Sequence, residues 1–305
     1  MTDLSFAEYA AIENGEAFEI ISVPDPDSYL ADLQMMHSVA RGARLLPFAA
    51  QSGFCIDGGI TLENDVNGLA EKVGDKHFCS VTIGHCLANL YCVETVLGCP
   101  ALPDFGQATQ APAESRAMVP PSALFDDLDK FQAEMLARRS DNPKRTSVSR
   151  FLSHIMFTFV FLHEFFHCAL NHCTELEKRN LRPRLREFGT EAQPDGPSTN
   201  LLRGFEVSAD SHAADGVIIC ILSKLDIPTR LGYFEGDEFT RQRLALFAMA
   251  LVIVLWHDLD RDRSTADLYH PSPMTRLLNI LDCVFNSSTE SGYKKCRGPA
   301  FDSHS

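Results

Sequence analysis

The stretch that most constrains this chain is residues 149–173, SRFLSHIMFTFVFLHEFFHCALNHC. It reads as one long apolar helix with hydrophobic residues on nearly every side, and such a helix lies inside a protein. Yet it contains the pattern H-E-x-x-H at His163, Glu164 and His167. Phe159, Val160, Phe161, Leu162, Phe165, Phe166, Ala169 and Leu170 surround these three polar residues. Two imidazoles and a carboxylate are costly to bury without a partner. A bound cation is the partner that this residue set suggests.

On a helix, positions i and i+4 share a face. His163 and His167 can therefore point at one ion, while Glu164 stands about 100° further round. Zinc suits such a site, because it accepts imidazole nitrogen and keeps a position for water when it has three protein ligands. Glu164 is placed to take a proton from that water as it attacks a polarised carbonyl. This is the chemistry that H-E-x-x-H carries in metallopeptidases. A metzincin would continue with Gly at 170 and His at 173. Leu170 and Cys173 exclude that class.

A third ligand is expected from GFEVSADSHAADG, residues 204–216. Glu206 can complete a His-His-Glu set, with His212 as its rival. Asp210, one helical turn from Glu206, can accept a hydrogen bond from a ligand imidazole and fix its tautomer. His172 lies too near His167 in sequence to share the same ion comfortably.

Composition narrows the function classes. The formal net charge is −14, which disfavours nucleic acid and anionic membrane as main partners because both need a positive face. The longest unbroken apolar run, LALFAMALVIVLW at 244–256, has 13 residues. A spanning helix needs roughly 20, so no membrane span is expected. The start, MTDLSFAEYAAIENGEAFEI, is acidic and lacks the features of a secretory signal. A cytoplasmic location is therefore expected, with the ten cysteines reduced. No C-x-x-C pair occurs, and most cysteines read as small buried hydrophobes.

Along the chain, SYLADLQMMHSVARGA shows a helical period. FCIDGGITLEND (54–65) suggests a short hairpin, and 77–98 reads as a helix. Five prolines between 99 and 122 mark a linker. Residues 1–120 are expected to form an N-terminal region of unassigned role, and 121–305 a helical metallopeptidase domain. SALFDDLDKFQAEMLARRS has a helical period, and 177–200 is loop-like, placed to gate a cleft. Helices follow at about 203–225 and 238–257, and a last one starts after HPSP with Ser272 and Pro273 as N-cap and N1. The expected class is mainly α, with α+β possible: a zincin-like helical core with an N-terminal subdomain.

HEFFH (163–167), EVSAD (206–210) and HPSPMTR (270–276), in that order, resemble the HtpX and CAAX-prenyl-protease type of gluzincin metallopeptidase. The resemblance covers roughly residues 150–285. It implies that His163, His167 and Glu206 bind zinc, that Glu164 is the catalytic base and that Asp210 orients a ligand His. It further implies that His270 and Arg276 face the substrate and stabilise the oxyanion, in keeping with their place near a helix N-terminus. Members of those two kinds carry several membrane spans, which this chain does not show. Its layout is also similar to the Lit-type phage-exclusion peptidases, which cleave a cytosolic protein. The expectation is a zinc-dependent endopeptidase acting on a protein or peptide. A non-catalytic zinc-stabilised interaction protein is the alternative; it would need the three ligands but not Glu164.

Overall fold

The computed structural model describes residues 4–12, 16–19, 29–43, 55–98, 131, 134–135, 138, 142–186, 196–222, 238–261 and 270–287. The expected linker at 99–122 and the middle of the expected gating loop, 187–195, lie outside the described residues. Among the described residues the protein is mainly α, with eight helices and one four-stranded sheet.

Two short helices, α1 (Phe6–Ile12) and α2 (Tyr29–Ala43), precede strands β1 (Cys55–Thr61), β2 (Gly68–Val73) and β3 (Lys76–Thr82). Helix α3 (Ile83–Leu97) follows directly. Next come α4 (Pro143–Ala169), α5 (His172–Lys178), β4 (Arg184–Arg186), α6 (Gly196–Leu222), α7 (Glu238–Arg261) and α8 (Pro273–Ser287). The strand order is β1-β3-β2-β4, with β1 and β3 parallel and the other pairs antiparallel.

Two sequence expectations are corrected here. The hairpin is β2–β3 rather than within 54–65, and it turns at Gly74, whose φ of 62° suits a residue without a side chain. Residues 77–82 are strand, not helix. Their burial on both faces gives them the unbroken apolar look of a core helix. The change from strand to helix falls at Thr82. Its hydroxyl accepts from His85 N (3.2 Å) and caps α3. The stretch 177–200 is likewise not all loop, since it holds β4 and the start of α6.

Helix α4 is the axis of the core. Asn142 accepts from Lys144 N (3.0 Å) and Arg145 N (3.4 Å), and Pro143 opens the helix. From Phe151 to Cys168 every side chain is buried. One side of α4 lies on the sheet, where Cys168 donates to Phe78 O. The opposite face of the sheet is covered by α1, whose Tyr9 stacks on Phe78 at 4.3 Å. Tyr9 also donates to Glu71, which Arg184 of β4 bonds in turn, tying β4 to β2 across a long sequence separation. The other side of α4 packs on α6 through Ala209, Ala213, Ala214 and Gly216, small residues that let the helix axes approach. Helices α7 and α8 close this side.

Two helical stretches are long and apolar enough to cross a membrane by length and composition: α4 itself and Phe239–His257 of α7. The apolar window of the first is wholly buried within the protein, and that of the second is half buried.

Candidate metal centre

Helix α4 brings the two motif histidines to its α6 side. His163 Nε2 and His167 Nε2 lie 3.0 Å apart. From α6, Glu206 Oε2 lies 3.3 Å from His163 Nε2, and Glu206 Oε1 lies 3.4 Å from His167 Nε2. All three side chains are buried. Among the described residues these three form the one cluster of His, Cys, Asp or Glu with metal-ligand spacing.

The donor set fits zinc. Four donors held tetrahedrally at ~2.0–2.1 Å from an ion stand about 3.3 Å from one another. The two imidazole nitrogens stand 3.0 Å apart, and each has a different oxygen of Glu206 at 3.3 or 3.4 Å, so each of these three pairs taken singly lies near that value. Burial pushes the Glu206 carboxyl up, but His270, His167 and His163 around it prevail and hold it well below the usual carboxylate range. A carboxylate and two imidazoles converging in a buried site are donors that such an ion takes.

The remaining predicted residues sit around this triangle. Asp210 Oδ1 is 3.0 Å from His163 Nδ1, the nitrogen facing away from the shared point. Arg276, on the first turn of α8, bonds both Asp210 oxygens, at 2.7 and 2.8 Å, in the bidentate geometry that guanidinium and carboxylate favour. Its Nη2 also lies 3.8 Å from Glu206 Oε2. Helix α8 is capped as its sequence predicts, with Ser272 Oγ accepting from Thr275 N at 3.2 Å. His270, just before it, has Nδ1 at 3.4 Å from Glu206 Oε2. The rival ligand His212 is exposed, with its Nδ1 2.8 Å from the Ser208 carbonyl of its own helix. Glu164 is buried on the sheet side of α4, against Gly68 at the start of β2.

Two contributors escaped the sequence reading, and a third, His172, was weighed only as a ligand. Trp256 of α7 lies edge-on to His163, ring centres 5.6 Å apart, and carries the Arg276 guanidinium 4.3 Å over its ring. Gly68 makes space for Glu164. His172 does not join the triangle, but its Nδ1 is 2.9 Å from His167 Nδ1. Burial lowers His172 to about 4, against the opposing pull of the Glu206 carboxylate, so the ring is neutral at pH 7. The lone Trp of the chain was a visible signal. Gly68 had none, and His172 stood out only by its closeness to His167 in the sequence.

Compared with known proteins, the chain matches the sequence model of a family described as peptidase U49 over residues 130–296. That span takes in all seven predicted site residues. It supports the Lit-type resemblance and leaves the HtpX and CAAX-prenyl-protease assignment without support. No curated protein and no solved structure matches the chain.

Proposed function

The chain belongs to the peptidase U49 family, and from that premise we propose that it is a zinc-dependent endopeptidase. His163, His167 and Glu206 hold the ion, and Glu164 is the general base. The observation that carries this reading is the buried cluster of His163, His167 and Glu206, whose ligand atoms lie within 4.8 Å of one another, with Glu164 next to His163 in the sequence.

Zinc bound there supplies Lewis-acid chemistry, lowering the pKa of a water and polarising a carbonyl. Glu164 takes the proton of the attacking water and delivers it to the leaving amine. Asp210 steadies His163 from behind, and Arg276 steadies Asp210. His270 and Arg276 bring N–H donors towards the developing oxyanion. His270 is the better placed for direct contact, because Arg276 already gives two N–H groups to Asp210. The net charge of −14 lets basic peptides approach more readily than acidic ones.

The test is Glu164→Gln, assayed on a peptide library by mass spectrometry. Zinc content should match wild type while cleavage falls by about 10²–10⁴, the usual contribution of a general base. Undiminished cleavage by this variant would refute the mechanism.

A further inference from the structure

A ligand imidazole has two nitrogens, and the second decides how the first points. If His167 Nε2 presents its lone pair to a cation, its Nδ1 carries the hydrogen. That hydrogen needs an acceptor, commonly a carboxylate or a backbone carbonyl. What the structure places against His167 Nδ1 is an imidazole nitrogen, His172 Nδ1, at 2.9 Å.

The backbone is shaped to bring it there. Helix α4 ends at Ala169, and Asn171 adopts the left-handed conformation with φ 66° and ψ 24°. Asparagine tolerates that region better than other residues with a side chain. The reversal starts α5 at His172 and folds its ring back against His167. The ring is then held on its face. His172 stacks on Phe205, with ring centres 4.1 Å apart and planes 9° apart, and Phe205 immediately precedes the ligand Glu206. One buried side chain thus touches one ligand and the neighbour of another.

We propose that His172 is a positioning residue: it accepts the Nδ1 hydrogen of His167 and so fixes the tautomer and ring plane of that ligand, with Phe205 holding the His172 ring in place. This rests on the reading of His163, His167 and Glu206 as a metal site. It makes the two ligand imidazoles unequal. His163 is backed by the carboxyl group of Asp210, and His167 by an imidazole nitrogen of His172.

The test measures zinc affinity of the full chain by competition with a chromophoric chelator. His172→Phe keeps a ring to stack on Phe205 but has no acceptor. His172→Asn places an amide oxygen near the lost Nδ1. The Phe variant should bind zinc about 10–100-fold more weakly, as for other groups that back a metal ligand. The Asn variant should recover most of the loss, with the metal-free protein still unfolding cooperatively on heating in both. Phe-variant affinity within threefold of wild type, or Asn and Phe variants equally weak, would overturn the proposal and leave the metal site standing. A wild type that binds no zinc would overturn the metal reading itself. A second measurement needs no variant: long-range proton–nitrogen NMR of the zinc-loaded protein should show hydrogen on His167 Nδ1 and on His172 Nε2. Hydrogen on His172 Nδ1 would contradict the assignment.

Discussion

Gly68 and Glu164 share one space. A Cβ on Gly68 would stand 2.2 Å from Glu164 Oε1 and 2.8 Å from its Cδ, so the carboxylate rests where a side chain on β2 would otherwise be. Residue 68 lies outside the family match at 130–296, so this contact joins a strand from before the matched span to the helix that carries the motif. Gly68→Ala must displace the tip of Glu164. Because that tip is flexible, the stability cost should be modest, about 1–3 kcal/mol. The catalytic cost should be larger, on the order of 10² in kcat/KM for a shift near 1 Å. Zinc content and turnover measured side by side would check this. Wild-type turnover in the variant would detach Gly68 from the chemistry.

Arg276 and Asp210 make a buried bidentate pair. Removing one partner of such a pair leaves an uncompensated charge inside. Arg276→Met should therefore lower the unfolding free energy of the metal-free protein by about 3–5 kcal/mol, read by urea denaturation. Arg276→Lys should recover little, because an ammonium cannot form the two parallel bonds. A loss below about 1 kcal/mol in the Met variant would place this pair with weak surface ion pairs.

Acid should weaken the fold through His154. This residue is buried on α4, and burial lowers it from 6.5 to about 4, against a weaker opposing hydrogen bond with the Met35 backbone. The unfolded chain binds a proton near 6.5 and the folded one only near 4, so stability is greatest above pH 6.5 and declines as pH falls towards 4. The contribution is about 3 kcal/mol, at ~1.4 kcal/mol per pH unit between those two values. In His154→Leu, the stability difference between pH 7 and pH 4 should shrink by about that amount, whatever the variant's stability at pH 7. An unchanged difference would remove His154 from the acid response.

How much of this was legible in the sequence depended on whether helical spacing carried it. His163 with His167, and Glu206 with Asp210, are i, i+4 pairs on uninterrupted helices, so spacing alone predicted a shared face. Ser272 and Pro273 announced the helix that presents Arg276. The sheet was harder. Strand β3 is buried on both faces and runs without a break into α3, so its apolar residues carry no period-2 signature. The role of His172 depends on one residue, Asn171, taking a positive φ. The contact of Gly68 with Glu164 spans almost a hundred residues of chain. Neither relationship leaves a local pattern to read.

The central claim is that His163, His167 and Glu206 hold a metal ion, and metal content tests it most directly. Wild type and Glu206→Ala, both untagged, would be analysed by elemental mass spectrometry after zinc supplementation and desalting. The account predicts about one zinc per chain in wild type, and its loss or marked weakening in the variant, as expected when one of three protein ligands is removed. No zinc in either protein, or equal and undiminished zinc in both, would contradict it.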